Sequence, residues 1–452
     1  MKKTDVLVIG GSAAGIVAAT TSKSFYPDKK ITLIRKEEQV LVPCGIPYMF
    51  GTLTGSDQNL VPDAVLANAG VELVIGEAVS ISQEKKNCKL ADGLEIGFEK
   101  LVFATGSNPV KPQWLKGLDL DNVFFIPKNK EYLDKQITEM EGCNKVVVVG
   151  GGFIGVEMAD EIAKSGKDVT LVELLPHVLS LAFDKGLAIL AEKALIARGV
   201  KVTCGKGVKK ILGKGSVSGV LLDDGEIIET DAVILSVGYR PSVTLAQEAG
   251  LNINEMGFIK VNEYMRTDHP DILAVGDCAE KFSFITRTPK MTMLASTSCA
   301  EARIAGMNLY KLSTVRSFTG TISIFCTAIG DDAFGAAGVT ENLANERGFE
   351  ILTGLFEGVD RHPATLPDTH KQIIKLIASL DSGIILGGEI FGGKSTGELI
   401  NLIGFMIQNS MTVDALLTSQ IGTHPLLTAA PTAYPLIKAA EVIAKKRNKY
   451  LH

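Results

Sequence analysis

One cysteine stands in the stretch Val42-Pro43-Cys44-Gly45-Ile46-Pro47-Tyr48, where two prolines and a glycine bend the chain. The next cysteine is Cys88, so no CxxC or CxxxxC dithiol exists here. Whatever redox work this sulfur does, it does alone, facing a cofactor or an external acceptor. The bend is expected to open a short helix, whose N-terminus would lower the thiol pKa and favour thiolate. A lone cysteine is by itself more often a packing residue. The glycine-rich turns on either side of this one argue for chemistry.

The first of those turns follows Thr4–Ile9, a continuous apolar run that reads as a buried parallel strand. Gly10-Gly11-Ser12-Ala13-Ala14-Gly15 then leads into a helix to about Ser24, and a second strand covers Ile31–Ile34. The pattern is G-x-S-x-x-G. Ser12 is small enough for a pyrophosphate to approach, and the helix N-terminus can hold phosphate. Such a unit ordinarily ends its second strand in an acid that binds an adenosine ribose. Here that residue is Arg35, with Glu37 and Glu38 just beyond, and Glu37 or a backbone group is the candidate substitute.

The second turn is more regular. The strand Lys145–Val149 runs into Gly150-Gly151-Gly152-Phe153-Ile154-Gly155, a G-x-G-x-x-G, then a helix, then a strand from Asp168 that ends at Glu173. Its glycines serve the tight turn, the approach of backbone to pyrophosphate and close helix packing. The carboxylate of Glu173 suits a free ribose 2′-hydroxyl and repels a 2′-phosphate, which favours NADH over NADPH. Two dinucleotide units in one chain make accidental glycine clustering a poor explanation. Strands at Lys100–Phe103 and Ala232–Val237 run into Ala104-Thr105-Gly106-Ser107 and Gly238-Tyr239-Arg240-Pro241 as matching exits. A strand over Asp271–Val275 leads into Gly276-Asp277, and a helix is expected from about Met293, through Ala295, to Asn308.

The whole chain has 452 residues, 46% hydrophobic and 21% charged, with a net charge of −5. That length suggests several domains with large cores. The absence of a basic stripe or tail argues against nucleic acid. Seven cysteines without a framework, and no metal-ligand spacing, point to a reducing, cytoplasmic setting without a metal. No apolar run is long enough to span a membrane. Beyond about Phe318 short strands, the first expected at Ile322–Phe325, alternate with helices, and this part reads as an oligomer interface.

The order of nucleotide turn, lone cysteine, Ala104-Thr105-Gly106, Gly150–Gly155, Gly238–Pro241 and Gly276-Asp277 resembles the flavoprotein disulfide reductases. The Cys44-Gly45-Ile46-Pro47-Tyr48 turn is similar to the single-cysteine branch: coenzyme A disulfide reductases, persulfide reductases, and NADH oxidases and peroxidases. The resemblance implies an α/β fold of two Rossmann-like dinucleotide-binding domains, for FAD and NAD, plus a C-terminal α+β dimerisation domain. The implied boundaries are 1–115 and 246–325 for the FAD-binding domain, 116–245 for the NAD-binding domain and 326–452 for dimerisation. It also implies a homodimer whose active sites draw on both subunits, with Cys44 and the nicotinamide on opposite flavin faces.

Carried over by position, Gly10, Ser12, Ala13, Ala14, Gly15, Glu37, Thr105, Gly106, Asp277 and Ala295 would bind FAD, Asp277 through a ribityl hydroxyl. Gly150, Gly152, Phe153, Ile154, Gly155, Glu173 and Gly238 would bind NADH, with Glu157 near the nicotinamide. Lys23 would face coenzyme A phosphates. His424, in Thr423-His424-Pro425, is the candidate general acid, and Tyr434 the candidate for an assisting tyrosine; Ala429 stands where a dithiol member would orient that histidine with a glutamate. Ala13 and Ala14 occupy the place where oxidase and peroxidase members carry a histidine. Cys88, Cys143, Cys204, Cys278, Cys299 and Cys326 read as core or incidental.

With the resemblance, these residues imply an FAD- and NADH-dependent enzyme reducing a disulfide, persulfide or polysulfide through Cys44, with coenzyme A as a candidate thiol partner. The alternatives are an NADH oxidase or peroxidase cycling a sulfenic acid at Cys44, and a flavoprotein redox sensor or partner-binding module with little turnover. Glu173 yields a direct expectation: kcat/KM for NADH should exceed that for NADPH by about tenfold or more, since the like charges repel. Glu173→Ala should narrow the ratio, and equal use of both cofactors by the wild type would contradict the reading.

Overall fold

The computed structural model describes residues 2–450. Runs of Val, Ile and Leu with no alternation form two five-stranded sheets, each wholly parallel, because strands buried on both faces need no polar side. In the first sheet the order is Ile272–Ala274, Lys100–Phe103, Val6–Ile9, Ile31–Arg35, Glu72–Ile75. In the second it is Val123–Phe125, Ala232–Leu235, Lys145–Val149, Asp168–Glu173, Lys201–Cys204. The two sheets have corresponding strand orders, and in each the glycine-rich turn leaves the central strand.

At those turns the helices Ala13–Phe25 and Phe153–Lys164 begin, packed so closely that a Cβ on Gly15 or Gly155 would collide with the carbonyl of Gly10 or Gly150. The third sheet is antiparallel: Phe325–Ile329, Asp332–Gly338, Ile385–Gly392, Lys371–Ser379 and Ile351–Val359, in that order. The helices Thr396–Gln408 and Pro435–Tyr450 pack with it in one core, through residues such as Ile400, Ile403, Leu436 and Ile443. This C-terminal part is a mixed α+β unit, as expected. The strands Asp332–Gly338 and Ile351–Val359 were not expected, and the one read at Ile322–Phe325 lies further on, at Phe325–Ile329.

The core of the second parallel sheet continues into the third sheet and the cysteine turn. Leu41, Ile46 and Met49 share it with Val156, Ile162, Ile329 and Phe334. The Phe153 ring stacks on Phe325 at a centroid distance of 5.0 Å, and Phe334 meets both Phe183 and Phe391. Beside this aromatic seam sits a charge cluster. Lys375 Nζ lies 2.6 Å from Asp184, 2.8 Å from Glu341 and 3.4 Å from Glu389, and Glu389 Oε1 accepts from the backbone N–H of Asp184 at 2.6 Å. Burial pushes the Glu389 carboxyl up to about 7; the charge of Asp184 adds to the rise and Lys375 opposes it.

Removing Lys375 leaves two buried carboxylates facing each other without a cation. Lys375→Met should therefore destabilise the protein by about 3 kcal/mol, because a buried ion partner left alone keeps its desolvation cost. The destabilisation should grow as pH rises through about 7, where Glu389 ionises. Thermal melts of wild type and variant across that range test this; equal melting temperatures would show the cluster to be incidental.

Candidate active site

Cys44 lies within a three-residue 3-10 turn, Pro43–Gly45, followed by a second, Pro47–Phe50. No α-helix begins there, so the expected helix-terminus stabilisation of a thiolate is absent. The turn is fixed from below by the apolar anchors Ile46 and Met49. It is also tied to the helix Phe153–Lys164, since Thr52 N–H donates to Glu161 Oε2 at 2.7 Å. The cysteine thereby keeps a set position relative to Glu157, one turn earlier on that helix.

Cys44 and Glu157 line one cavity of about 540 Å³. Its walls include Ser12, Ala13 and Ala14 from the first glycine-rich turn and Gly152, Phe153 and Ile154 from the second. Gly106, Gly238, Asp277 and Ala295 complete the expected set that the structure brings there. The cavity runs from one nucleotide turn to the other, as a two-cofactor site requires.

The electrostatics centre on three acidic groups and one cation. Burial pushes the Glu157 carboxyl up to about 7; a 2.8 Å hydrogen bond from Thr327 Oγ1 pulls the other way and Glu161 adds to the rise. Burial works against ionising Asp277, but Lys128 and Ser107 outweigh it and hold that carboxyl below its ordinary range. Lys128 Nζ donates to Asp277 Oδ2 at 2.7 Å and to Ser107 Oγ at 3.2 Å, and Ser107 Oγ donates to the same carboxylate oxygen at 2.7 Å. The Cys44 side chain is exposed on the cavity wall, yet loss of water around its sulfur raises the thiol; Glu157 adds to the rise and Lys128 opposes it. The expected lowering by local backbone is thus corrected: the protein's own groups leave Cys44 a thiol, and Lys128 is the group that works toward thiolate.

The loop carrying Asp277 has its own support. Glu301 accepts from Gly276 N–H at 2.8 Å, while the fully buried Lys281 donates to the carbonyls of Gly276 and Ala279. Burial raises Glu301 to about 7 against the pull of Lys281.

The surroundings fit two dinucleotides. Neither Ser12 nor Gly152 caps its helix with a side chain, so backbone N–H groups at both N-termini remain for phosphate. Space over the Cα of Gly152 is open, where pyrophosphate must approach. Ser236 Oγ is buried on the cavity wall without a hydrogen-bond partner among the described residues. Glu173 lies at the end of its strand, accepting from Gly151 N–H and, at 2.6 Å, from Leu175 N–H.

Other expected residues fall elsewhere. Thr105 sits beside the cavity wall and donates to the Ser242 carbonyl at 2.5 Å. Lys23 closes the end of its helix by donating to the carbonyls of Pro27 and Lys29, at 2.7 and 2.9 Å, away from the cavity. Glu37 gives its carbonyl to Arg35. His424 is exposed, its Nδ1 accepting from Leu426 N–H at 3.2 Å, and Tyr434 packs at the edge of the C-terminal core. Neither reaches the cavity of its own chain. The wall also holds Lys128, Ser107 and Tyr239, none of them expected there, and Cys326, expected to be core or incidental, lines the cavity with Cys44. Lys128 carries no motif of its own; only the fold brings it to Asp277.

Residues 4–302 match the family described as pyridine nucleotide-disulphide oxidoreductase, and residues 325–434 match the dimerisation domain of that family. The chain belongs to this family and is an NAD(P)H-dependent flavoprotein oxidoreductase. It is 32% identical to an NADH oxidase of Methanocaldococcus jannaschii, over 97% of this chain and 98% of the relative. It is 30% identical to an NAD(P)H coenzyme A polysulfide/persulfide reductase of Pyrococcus horikoshii, over 98% of this chain and 99% of the relative. Among solved structures, an NAD-dependent persulfide reductase from A. fulgidus superposes with a TM-score of 0.90 at 29% identity, covering 98% of this chain and 84% of the other.

The opposed charges around Cys44 make a signed prediction. Neutralising Glu157 (Glu157→Gln) should speed alkylation of Cys44 by iodoacetamide near pH 8, by about threefold, because it removes a charge that opposes the thiolate. Lys128→Met should slow it by a similar factor. Peptide mass spectrometry resolves Cys44 from Cys326; equal rates in all three proteins would show that neither charge acts on the thiol.

Proposed function

We propose that the protein reduces a low-molecular-weight disulfide, persulfide or polysulfide with electrons from NADH, through Cys44 as its one redox sulfur. The observation that carries this reading is the placement of Cys44 on the wall of a cavity that joins both nucleotide turns, with no second cysteine beside it in sequence. FAD, when bound, accepts two electrons from NADH and makes them available to sulfur.

The chain's own residues do the rest. Gly150, Gly152 and Gly155 with the helix N-terminus hold the NADH pyrophosphate, and Glu173 takes its adenosine ribose. Ser12 and the first helix hold the FAD pyrophosphate, and Asp277, kept ionised by Lys128, takes a ribityl hydroxyl. Cys44 attacks one sulfur of the substrate as thiolate: the Cys44–sulfur bond forms, the substrate S–S bond breaks, and the departing thiolate takes a proton. Two electrons then split the mixed disulfide, returning Cys44 to thiolate and releasing the second thiol with one more proton. Glu157, with a carboxyl near 7, can hold a proton beside this cavity at neutral pH.

Two further points belong to this reading. The dimerisation domain supports a homodimer, and in that dimer the exposed His424 and Tyr434 are the candidates to reach the partner's Cys44 site. Coenzyme A is the candidate thiol, as in the name of the P. horikoshii relative.

The M. jannaschii relative bears the name NADH oxidase, and that keeps an oxygen- or peroxide-reducing reading open as the second one. Against it stand the methyl groups of Ala13 and Ala14, which offer no proton to a departing oxygen. A panel of acceptors with NADH oxidation as readout separates the readings. Coenzyme A disulfide or polysulfide should outpace oxygen and peroxide, and Cys44→Ser should lose at least about a hundredfold in that turnover. Faster use of oxygen or peroxide by the wild type would favour the second reading, and negligible NADH consumption with every acceptor would favour a sensor or binding module.

A further inference from the structure

The two nucleotide turns differ at one corresponding point. In the second unit the strand-end residue Glu173 lies against Gly151: an added Cβ on that glycine would meet Glu173 Oε2 at 2.9 Å and its Cβ at 3.0 Å. In the first unit Arg35 lies against Gly11 in the same way, with its Cδ at 2.5 Å and its Cβ at 2.8 Å from such a Cβ. The place that holds a ribose-binding carboxylate in one unit therefore holds the stem of an arginine in the other.

That arginine is already committed. Its Nε donates to the Glu37 carbonyl at 2.8 Å, one Nη to the Glu38 carbonyl at 2.6 Å, and the two Nη atoms to Asp63 Oδ1 and Oδ2 at 2.7 and 2.9 Å. Four of its five N–H donors are thus spent, and the side chain is 1% exposed. Asp63 is the opposite case. It stands at the N-cap of the helix Ala64–Asn68 without capping it, its side chain is 52% exposed, and each carboxylate oxygen keeps a lone pair beyond the bond to Arg35. The fork geometry fixes the carboxylate plane.

We propose that Asp63, held in place by Arg35, is the carboxylate that binds the adenosine ribose hydroxyls of FAD in the first site. The acid that ordinarily ends the strand is supplied instead from a separate helix, carried on a guanidinium that extends the strand end outward. Arg35 is a positioning residue in this arrangement, and Glu37 contributes a carbonyl to Arg35 rather than a carboxylate to the ribose. The inference rests on FAD filling the first site and is independent of which acceptor the enzyme reduces.

The test reads cofactor affinity. Dilution of the holoenzyme, followed by the fluorescence of released FAD, should give about tenfold weaker retention for Asp63→Asn, the worth of a hydrogen bond to a charged group. ADP titrated into the full-length chain freed of FAD should lose affinity by a similar factor, because it carries the same ribose. Glu37→Gln should change neither. Arg35→Glu added to Asp63→Asn restores a strand-end acid and should recover most of the loss. Wild-type affinity for FAD in Asp63→Asn overturns the proposal, as does a loss confined to FAD with ADP unaffected. A loss of the same size in Glu37→Gln overturns it too, as does a double variant that melts like the wild type and recovers nothing.

Discussion

The structure depends on keeping the Cys44 thiol and two carboxylates, Glu157 and Asp277, in a single largely apolar cavity with the cation of Lys128. Charge in such a place is expensive, and each group answers differently. Asp277 stays ionised because Lys128 and Ser107 are bonded to it. Glu157 accepts from Thr327 and holds its proton to about 7. Among the described residues Cys44 has no hydrogen-bond donor that would favour its anion, so its reactivity depends on the balance of Lys128 against Glu157 and on what binds in front of it. The fold exists to keep these separations fixed. That is the physical sense of anchoring the cysteine turn on Ile46 and Met49 and tying it to Glu161 of the helix that bears Glu157.

The nucleotide-binding halves are one solution used twice. Each has a parallel sheet, a glycine turn from its central strand, and a helix whose free N–H groups face the cavity. Repetition makes departures informative. Gly152 leaves open space where Ser12 places a hydroxymethyl group, and Glu173 stands where Arg35 does. The third sheet is of another kind, antiparallel and backed by helices, and it meets the second unit through stacked phenylalanines and the Lys375 cluster.

Much of this was legible in the chain. Continuous apolar strands followed by glycine turns identify the two parallel sheets, because that pattern has few other stable outcomes. The motif-borne wall residues, from Ser12 to Asp277, were found for the same reason. What escaped has no local signature. Lys128 lies in an ordinary loop and matters only because Asp277, far along the chain, folds beside it. Cys326 reaches the cavity on a strand whose position was misjudged by a few residues. The thiol of Cys44 was expected to be lowered by a helix that the prolines shorten to 3-10 turns. His424 and Tyr434 lie away from the cavity of their own chain, and no single-chain periodicity encodes what a second copy would bring near them.

The central claim is that Cys44 itself carries the substrate sulfur, and it can be read directly by mass. The enzyme is mixed anaerobically with coenzyme A disulfide or polysulfide in the absence of NADH, quenched in acid and digested. The account predicts a disulfide-linked adduct on the Cys44 peptide, lost on addition of NADH, with Cys326 unmodified. An adduct on Cys326 instead, or NADH-dependent reduction of the acceptor with Cys44 never modified, would contradict it.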